Sequence, residues 1–446
     1  MTNDNIVALS TAFGASGVAV IRISGDSPLS VVEKMFTPQG KTAVKDFVPY
    51  MMYTGEFDGG NFLDYGMCVY FKAPKSYTGE DVVELHCHGG NAIVKGLIRK
   101  AVEHGARLAT RGEFTKRAFM NGKLSLSSAE GLIGMINSET ESQVKAGYSL
   151  YREKLTKQIG AICDDLTYAL AQIHADIDFP EEDLEGASKA DIKQRIVADR
   201  EKLSAMLSTY RAGRTLKNGV KVAIVGKPNA GKSSILNRLL DYDKAIVSEV
   251  AGTTRDVVEG SIDIDGVRFN FYDTAGIRET GDGIEGLGID LAKKTLLSSD
   301  IVLFIADASN VTDEDFEIYS LIKDKPHLSI LNKLDKARYD GDLPCDIQVS
   351  AVTGENVENL KRSLFDKTFG MNFDLSGDFI TEERHYNAIN SAVNKLDEVL
   401  SNIDFNTLDL IAIDIRSAWE SLGEISGKCA TEDVIDEIFK KFCVGK

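Results

Sequence analysis

The run Gly226, Lys227, Pro228, Asn229, Ala230, Gly231, Lys232, Ser233 carries glycine and lysine at the spacing of a polyphosphate cradle. An apolar, strand-like run, Val220–Val225, precedes it, and a helical pattern over 234–240 follows. In that setting backbone amides gather at a helix N-terminus, where anions are favoured. Lys232 is placed to meet the β- and γ-phosphates, and Ser233 to hold Mg²⁺. Asp273, Thr274, Ala275 and Gly276 end a second strand-like run, 268–272, which puts a carboxylate near the metal and a glycine amide near the γ-phosphate. Between them lie Gly252, Thr253, Thr254, Arg255 and Asp256. A threonine there reaches Mg²⁺ only while the γ-phosphate is present, which makes the segment a switch; Thr254 is the expected one.

Asn332, Lys333, Leu334 and Asp335 follow a third run, 327–331. The Asp335 carboxylate can accept from the N1–H and the exocyclic amine of guanine together. Adenine has no such donor pair, and a buried acceptor left unpaired is costly. Ser350 and Ala351, after a fourth run at 346–349, offer a backbone N–H to the guanine O6. Four motifs in this order imply GTP binding. Ile277 stands where a water-orienting glutamine follows the glycine in Ras-type proteins. Hydrolysis here therefore needs a monovalent cation, a downstream carboxylate or a second G domain.

The elements that position these residues alternate strand and helix from Val220 onward, the fifth strand-like run being 300–306. This predicts a mostly parallel sheet covered on both faces. Residues 1–118 read as α+β, with strand-like runs at 17–23, 66–71 and 82–88 and a helix over 91–104. Ile159, Ile162, Leu166, Leu170, Ile173 and Ile177 trace one helical face, and a second helix is expected from about 189 to a stop near Gly213. The chain turns helical again after about 380, with Ile389, Val393, Leu396 and Leu400 on one face. The expected organisation is an N-terminal domain (1–118), a helical domain in two parts (119–215 and 376–446) and an inserted Ras-like α/β P-loop G domain (216–375).

At 446 residues the chain needs two or three cores. A net charge of −17 argues against its wrapping nucleic acid unaided, although residues 1–120 are balanced, with 13 basic and 12 acidic side chains. Six scattered cysteines without a CxxC pair fit a reducing cytoplasm, and the longest apolar runs are too short to span a membrane. His86, Cys87 and His88 invite a metal reading, but a strand end with alternating faces accounts for them better.

Three blocks outside the G domain carry a resemblance: 17–25 (GVAVIRISG), 77–90 (YTGEDVVEL running on to HGG), and the C-terminal Phe442, Cys443, Val444, Gly445, Lys446. Residues 111–119 add to it. Over essentially its whole length the chain resembles the MnmE (TrmE) family of tRNA modification GTPases. The resemblance implies a folate-binding N-terminal domain that also dimerises, an all-α domain split by the G domain, and an FAD-dependent MnmG-type partner in a heterotetramer. It implies addition of a carboxymethylaminomethyl or aminomethyl group to C5 of the wobble uridine of certain tRNAs. The carbon would come from 5-formyl- or 5,10-methylene-tetrahydrofolate, and G domains would pair in K⁺.

By matching position, Arg22, Glu84, Lys123 and Lys446 look like folate contacts. Arg22 is expected to meet the glutamate tail and Glu84 the pterin, at opposite ends of one ligand. Asn229, Ser248, Val250 and Thr253 look like K⁺ ligands, Ser233 and Thr254 like Mg²⁺ ligands, and Glu285 like the residue that positions water. Lys232, Thr254, Gly276 and Glu285 form the expected catalytic set. The nucleotide contacts extend over Asn229, Ala230, Gly231, Lys232, Ser233, Ser234, the segment Ser248, Glu249, Val250, Ala251, Gly252, Thr253, Thr254, then Asp273, Thr274, Ala275, Gly276, Asn332, Lys333, Asp335, Ser350 and Ala351. Cys443 reads as a positioning residue or a redox group. Val352 departs from the longer polar residue many GTPases have there, and Val444 from the family's isoleucine. Other readings of the chain are a regulatory GTPase of ribosome assembly and a folate-dependent one-carbon transferase.

Overall fold

The computed structural model describes residues 4–178, 189–242, 260–273, 295–371, 373–375 and 377–446. The chain is multidomain and divides into two compact units. The first is Met1–Ile133, Ser149–Asp199 and Ser391–Lys446; the second is Gly134–Tyr148 and Arg200–Asn390. The second is therefore set into the sequence of the first.

The first unit opens with strands β1 (Asn5–Leu9), β2 (Ala19–Gly25), β3 (Phe36–Pro38), β4 (Met52–Asp58), β5 (Leu63–Phe71), β6 (Asp81–Cys87) and β7 (Ala106–Leu108). They form one sheet in the order β3-β4-β5-β6-β2-β1-β7, with only the β1–β7 pair parallel. Helices α1 (Pro28–Val32) and α2 (Asn91–Glu103) lie on its core side. Ile21, Ile23, Val83, Leu85 and Phe57 point from the strands into a core shared with Val94, Leu97 and Ala101 of α2. This period-two burial is what one covered face produces. A charge network ties the edge together: Arg107 and Arg117 both bond Asp4 and Glu113, and Arg117 also bonds Glu80. Burial would push the Glu113 carboxyl up, but Arg107 and the Thr110 amide outweigh it and bring it down to about 2.

Five helices follow in sequence: α3 (Glu113–Met120), α4 (Leu126–Ile136), α5 (Glu141–Tyr151), α6 (Lys154–Asp178) and α7 (Lys189–Ser208). The stripe read from the sequence is the buried side of α6: Ile159, Ile162, Leu166 and Ile173 are in the core, while Leu170 and Ile177 are half-buried. In the first unit α6 packs against a long C-terminal helix, Leu408–Ser426. A further helix, α8 (Tyr210–Asn218), overturns the expected stop at Gly213. That glycine is inside a helix because a Cβ there would lie 2.3 Å from the Ile380 carbonyl oxygen. Close approach of another backbone, not helix termination, requires it.

The second unit is built on β8 (Val220–Val225), β9 (Gly260–Ile264), β10 (Val267–Asp273), β11 (Ile301–Asp307), β12 (His327–Asn332) and β13 (Ile347–Gln348), in the order β13-β12-β11-β8-β10-β9. All neighbours are parallel except β9–β10. Every residue of β11 is buried. Leu303 and Ile305 face one core, and Val302, Phe304 and Ala306 face the other, as a central strand covered on both sides must. Helix α9 (Lys232–Tyr242) follows the phosphate-loop run, then α10 (Asp313–Ile322), α11 (Val357–Phe369) and α12 (Glu383–Asn402). The last two helices, α13 (Leu408–Ser426) and α14 (Glu432–Lys440), belong to the first unit.

Candidate functional site

Parallel strands all present their C-terminal ends to one edge, where ligands of open α/β sheets bind. The second unit places β8 and the 226–233 loop there, beside the ends of β11 and β12. Lys232 opens α9 and is 7% exposed. Its ammonium donates to the carbonyls of Gly226 and Lys227, at 2.9 and 3.0 Å, and so closes the loop on itself. Lys227 anchors the same loop from outside. It is 8% exposed and donates to the Asn310 carbonyl, Thr312 Oγ1 and Asp315 Oδ2 at 2.6, 3.1 and 2.7 Å. Asp315 also closes the capping box opened by Thr312 at the start of α10, so the anchor is itself fixed. Apart from its charge, nothing in the sequence marks Lys227 for this role, because its partners lie more than eighty residues away.

Asn332 joins the two halves of the site. Its Nδ2 donates to the Ala230 carbonyl at 3.2 Å, and its Oδ1 accepts from Ala351 N at 3.1 Å. Gly231 makes this possible: at φ +95° a Cβ would sit 2.2 Å from Asn332 Nδ2. Asp335 is held by the Ser350 hydroxyl at 2.5 Å, and Ser350 Oγ in turn accepts from Thr353 N at 3.1 Å. The carboxylate is thus oriented before any base arrives. Ser233, Ser234 and Asn229 are exposed at the mouth of the loop. Val352 is 75% exposed and makes no use of its apolar side chain in the core.

The structure thus brings Asn229, Ala230, Gly231, Lys232, Asn332, Lys333, Asp335, Ser350 and Ala351 to one edge. Of Asp273 the backbone is described, at the end of β10. Ser248, Glu249, Val250, Ala251, Gly252, Thr253, Thr254, Thr274, Ala275, Gly276, Ile277 and Glu285 lie outside the described residues.

In the first unit, β2 and β6 pair Arg22 directly with Glu84. Arg22 Nε and NH2 both reach Glu84 Oε1, at 2.8 and 2.7 Å, and the guanidinium stacks near the rings of Tyr77 and Phe114. Burial alone would raise the Glu84 carboxyl; His86 and Arg22 outweigh it and hold it below the usual range. This corrects the expectation that the two residues grip opposite ends of one ligand. Cross-strand neighbours this close form a single ion pair. Lys123 donates to the Pro74 carbonyl at 2.8 Å. The C-terminal tail folds back onto β1: Ser10 Oγ donates to the Gly445 carbonyl at 3.2 Å, and Val444 bridges to Arg111. Lys446 is thereby fixed beside the end of β1, whose Ala8 lies across from Arg22. Cys443 is an exposed thiol whose carbonyl accepts from Gly112 N. His86 and His88 do not converge. His86 faces Glu84 at 3.7 Å, and His88 Nδ1 is 2.6 Å from Asp64 Oδ1.

Comparison with known proteins adds the last observation. Residues 126–443 match the model of the MnmE helical domain, and residues 5–123 that of the GTP-binding protein TrmE N-terminus. The chain belongs to the MnmE family. Relatives described as tRNA modification GTPase MnmE are 37% identical in Caldicellulosiruptor saccharolyticus, with both chains fully covered. The Aquifex aeolicus relative is 38% identical over 99% of each chain. That of Clostridioides difficile is 35% identical over 100% of this chain and 99% of its own. Among solved structures, the G domain of the T. maritima FeoB iron transporter is 25% identical over 33% of this chain and 98% of its own, at a TM-score of 0.26. Within the MnmE family the assembled phosphate and guanine loops are those of a GTP hydrolase. No helix among the described residues is long and apolar enough to cross a membrane.

Proposed function

We infer that this chain is a GTPase of tRNA modification. It uses GTP to drive addition of a carboxymethylaminomethyl or aminomethyl group at C5 of the wobble uridine. The observation that carries this is family likeness along the full length joined to a preassembled guanine-reading loop. The one-carbon unit comes from a folate, 5-formyl- or 5,10-methylene-tetrahydrofolate, and the partner is an FAD-dependent MnmG-type protein in a heterotetramer. The protein works in the cytoplasm as a homodimer. Dimerisation through the N-terminal sheet is supported by an uncovered apolar stretch on β4 and β5, where Met52, Leu63, Tyr65 and Met67 are exposed. The deciding experiment is nucleoside analysis of tRNA from cells lacking the protein. Loss of the C5-modified wobble uridine is expected; an unchanged nucleoside profile overturns the reading.

The residues fit a folate at Arg22 and Glu84. The pair is only about one-sixth exposed (16% and 17%), flanked by Tyr77 and Phe114, and the nearby His86 Nε2 is buried without a hydrogen bond. Such a place suits a flat heteroaromatic ring with N–H donors and acceptors. The Arg22–Glu84 pair would face the ring together, Glu84 accepting from its N–H donors, and Lys123 and Lys446 would hold the acidic tail. Arg22→Ala is expected to weaken 5-formyl-tetrahydrofolate binding by about tenfold or more and to leave GTP hydrolysis within about twofold, because the sites are on different units. Parallel loss of both in titration and turnover assays would mean that the variant is misfolded, and retained folate affinity would reject the site.

Ser233, exposed at the first turn of α9, would hold Mg²⁺ together with Thr254, and the exposed Asn229 would hold K⁺ together with Ser248, Val250 and Thr253. A bound monovalent cation supplies positive charge where it develops between the β- and γ-phosphates, the task left open by Ile277. Glu285 orients the attacking water, and Gly276 and Lys232 meet the γ-phosphate. Hydrolysis in KCl should exceed that in NaCl at equal ionic strength by about tenfold or more. Equal rates in the two salts would remove the cation from the mechanism.

A further inference from the structure

Lys333 lies between the guanine-reading and phosphate-binding loops. Its ammonium donates to the Asn229 carbonyl at 2.9 Å and to Asp307 Oδ2 at 2.6 Å. Asn229 and Lys333 are both non-glycine residues held in the left-handed region, at φ 64° and 69°. That conformation is disfavoured for residues with a Cβ, more for lysine than for asparagine, and persists where surrounding contacts over-determine it. Here one ammonium links the two strained residues, one from each loop. A lysine on a flexible four-carbon stem does not choose such a rotamer alone. Asp307 chooses it. This residue ends β11 and is 8% exposed. Its Oδ1 accepts from Ser309 N at 2.9 Å and Ser309 Oγ at 2.6 Å, so Oδ2 is left aimed at Lys333.

We propose that Asp307 is a positioning residue for nucleotide binding: through Lys333 it fixes the Asn229 carbonyl, and with it the separation between the two loops that one GTP must span. The carboxylate is kept charged for this. Burial would raise it, but the hydrogen bonds from Lys333 and Ser309 win and hold it below its ordinary value. Breaking the pair also costs stability, because the carboxylate is buried and the ammonium only a quarter exposed. A positioning role is told from a purely structural one by affinity, by kcat and by the coupling to Lys333, all read on folded protein.

The test uses the full chain and a fluorescent GDP analogue, with GTP turnover and thermal unfolding measured alongside. Asp307→Asn should weaken GDP and GTP by about tenfold, with kcat at saturating GTP within about twofold and the protein still folded at the assay temperature although its unfolding midpoint falls. Lys333→Ala should cost at least as much. Adding Asp307→Asn to Lys333→Ala should then change affinity by less than about twofold, because the carboxylate acts only through the ammonium. Unchanged affinity in Asp307→Asn, or full additivity in the double variant, overturns the proposal. If Asp307→Asn loses its fold, Ser309→Ala loosens the carboxylate while keeping its charge, and the same cycle with Lys333→Ala decides.

Discussion

Asp335→Asn should lose GTP by about two to three orders of magnitude while the fold survives. The carboxylate is held by Ser350 Oγ at 2.5 Å and sits in a loop fixed by the Leu334 N bond to the Val349 carbonyl at 3.0 Å. A carboxamide in that place can keep the serine contact. It cannot accept from N1–H and the exocyclic amine of guanine at once, since one of its two ends is a donor. The same variant should gain affinity for xanthosine triphosphate, whose carbonyl replaces the exocyclic amine and matches the new N–H. Parallel titrations with GTP and xanthosine triphosphate measure this. Tight GTP binding retained by the variant would refute the role of Asp335.

The second large effect belongs to Gly231→Ala. The new methyl would stand 2.2 Å from Asn332 Nδ2, in a backbone at φ +95°. Asn332 is 2% exposed and has no room to withdraw. It must abandon its bonds to Ala230 and Ala351, so the phosphate and guanine loops come apart together. GDP and GTP affinity should both fall by about a hundredfold or more, whereas Asp335→Asn spares the phosphate side. Dissociation constants for both nucleotides, with circular dichroism as a folding control, give the comparison. Unaltered GDP affinity would show that the loop tolerates the methyl.

The G-domain residues were legible because each motif rides on a strand whose apolar run is unmistakable. β8, β11 and β12 are buried on both faces or nearly so. β9 was missed. It is an edge strand with only Ile262 and Ile264 buried, and two apolar residues among polar ones carry a weak period. β1, β3, β4 and β7 were missed for similar reasons: they are short or expose one face. The anchors Lys227–Asp315 and Asp307–Lys333 were invisible because side chains far apart in sequence meet only once the sheet is ordered. Arg22 and Glu84 were named through a resemblance, yet their direct pairing is a matter of β2–β6 register that the resemblance did not supply. Gly213 misled for the opposite reason, since a glycine demanded by packing looks the same in sequence as one that ends a helix.

The close approach at Gly213 belongs to a wider junction. Thr209 Oγ1 accepts from Ile380 N at 3.1 Å, the rings of Tyr210 and Tyr386 stack at 4.4 Å, and Lys217 Nζ meets both Glu382 oxygens at 2.6 Å. The chain thus leaves the nucleotide-binding fold at the doorway by which it entered. To the rest of the polypeptide, about 170 intervening residues amount to a loop whose mouth is already shut. Such a module can be lengthened, replaced or lost with little cost in chain entropy to its host, because its ends never had to be brought together from a distance. The same neck holds both ends of the module side by side, so a substitution that loosens one end loosens the other.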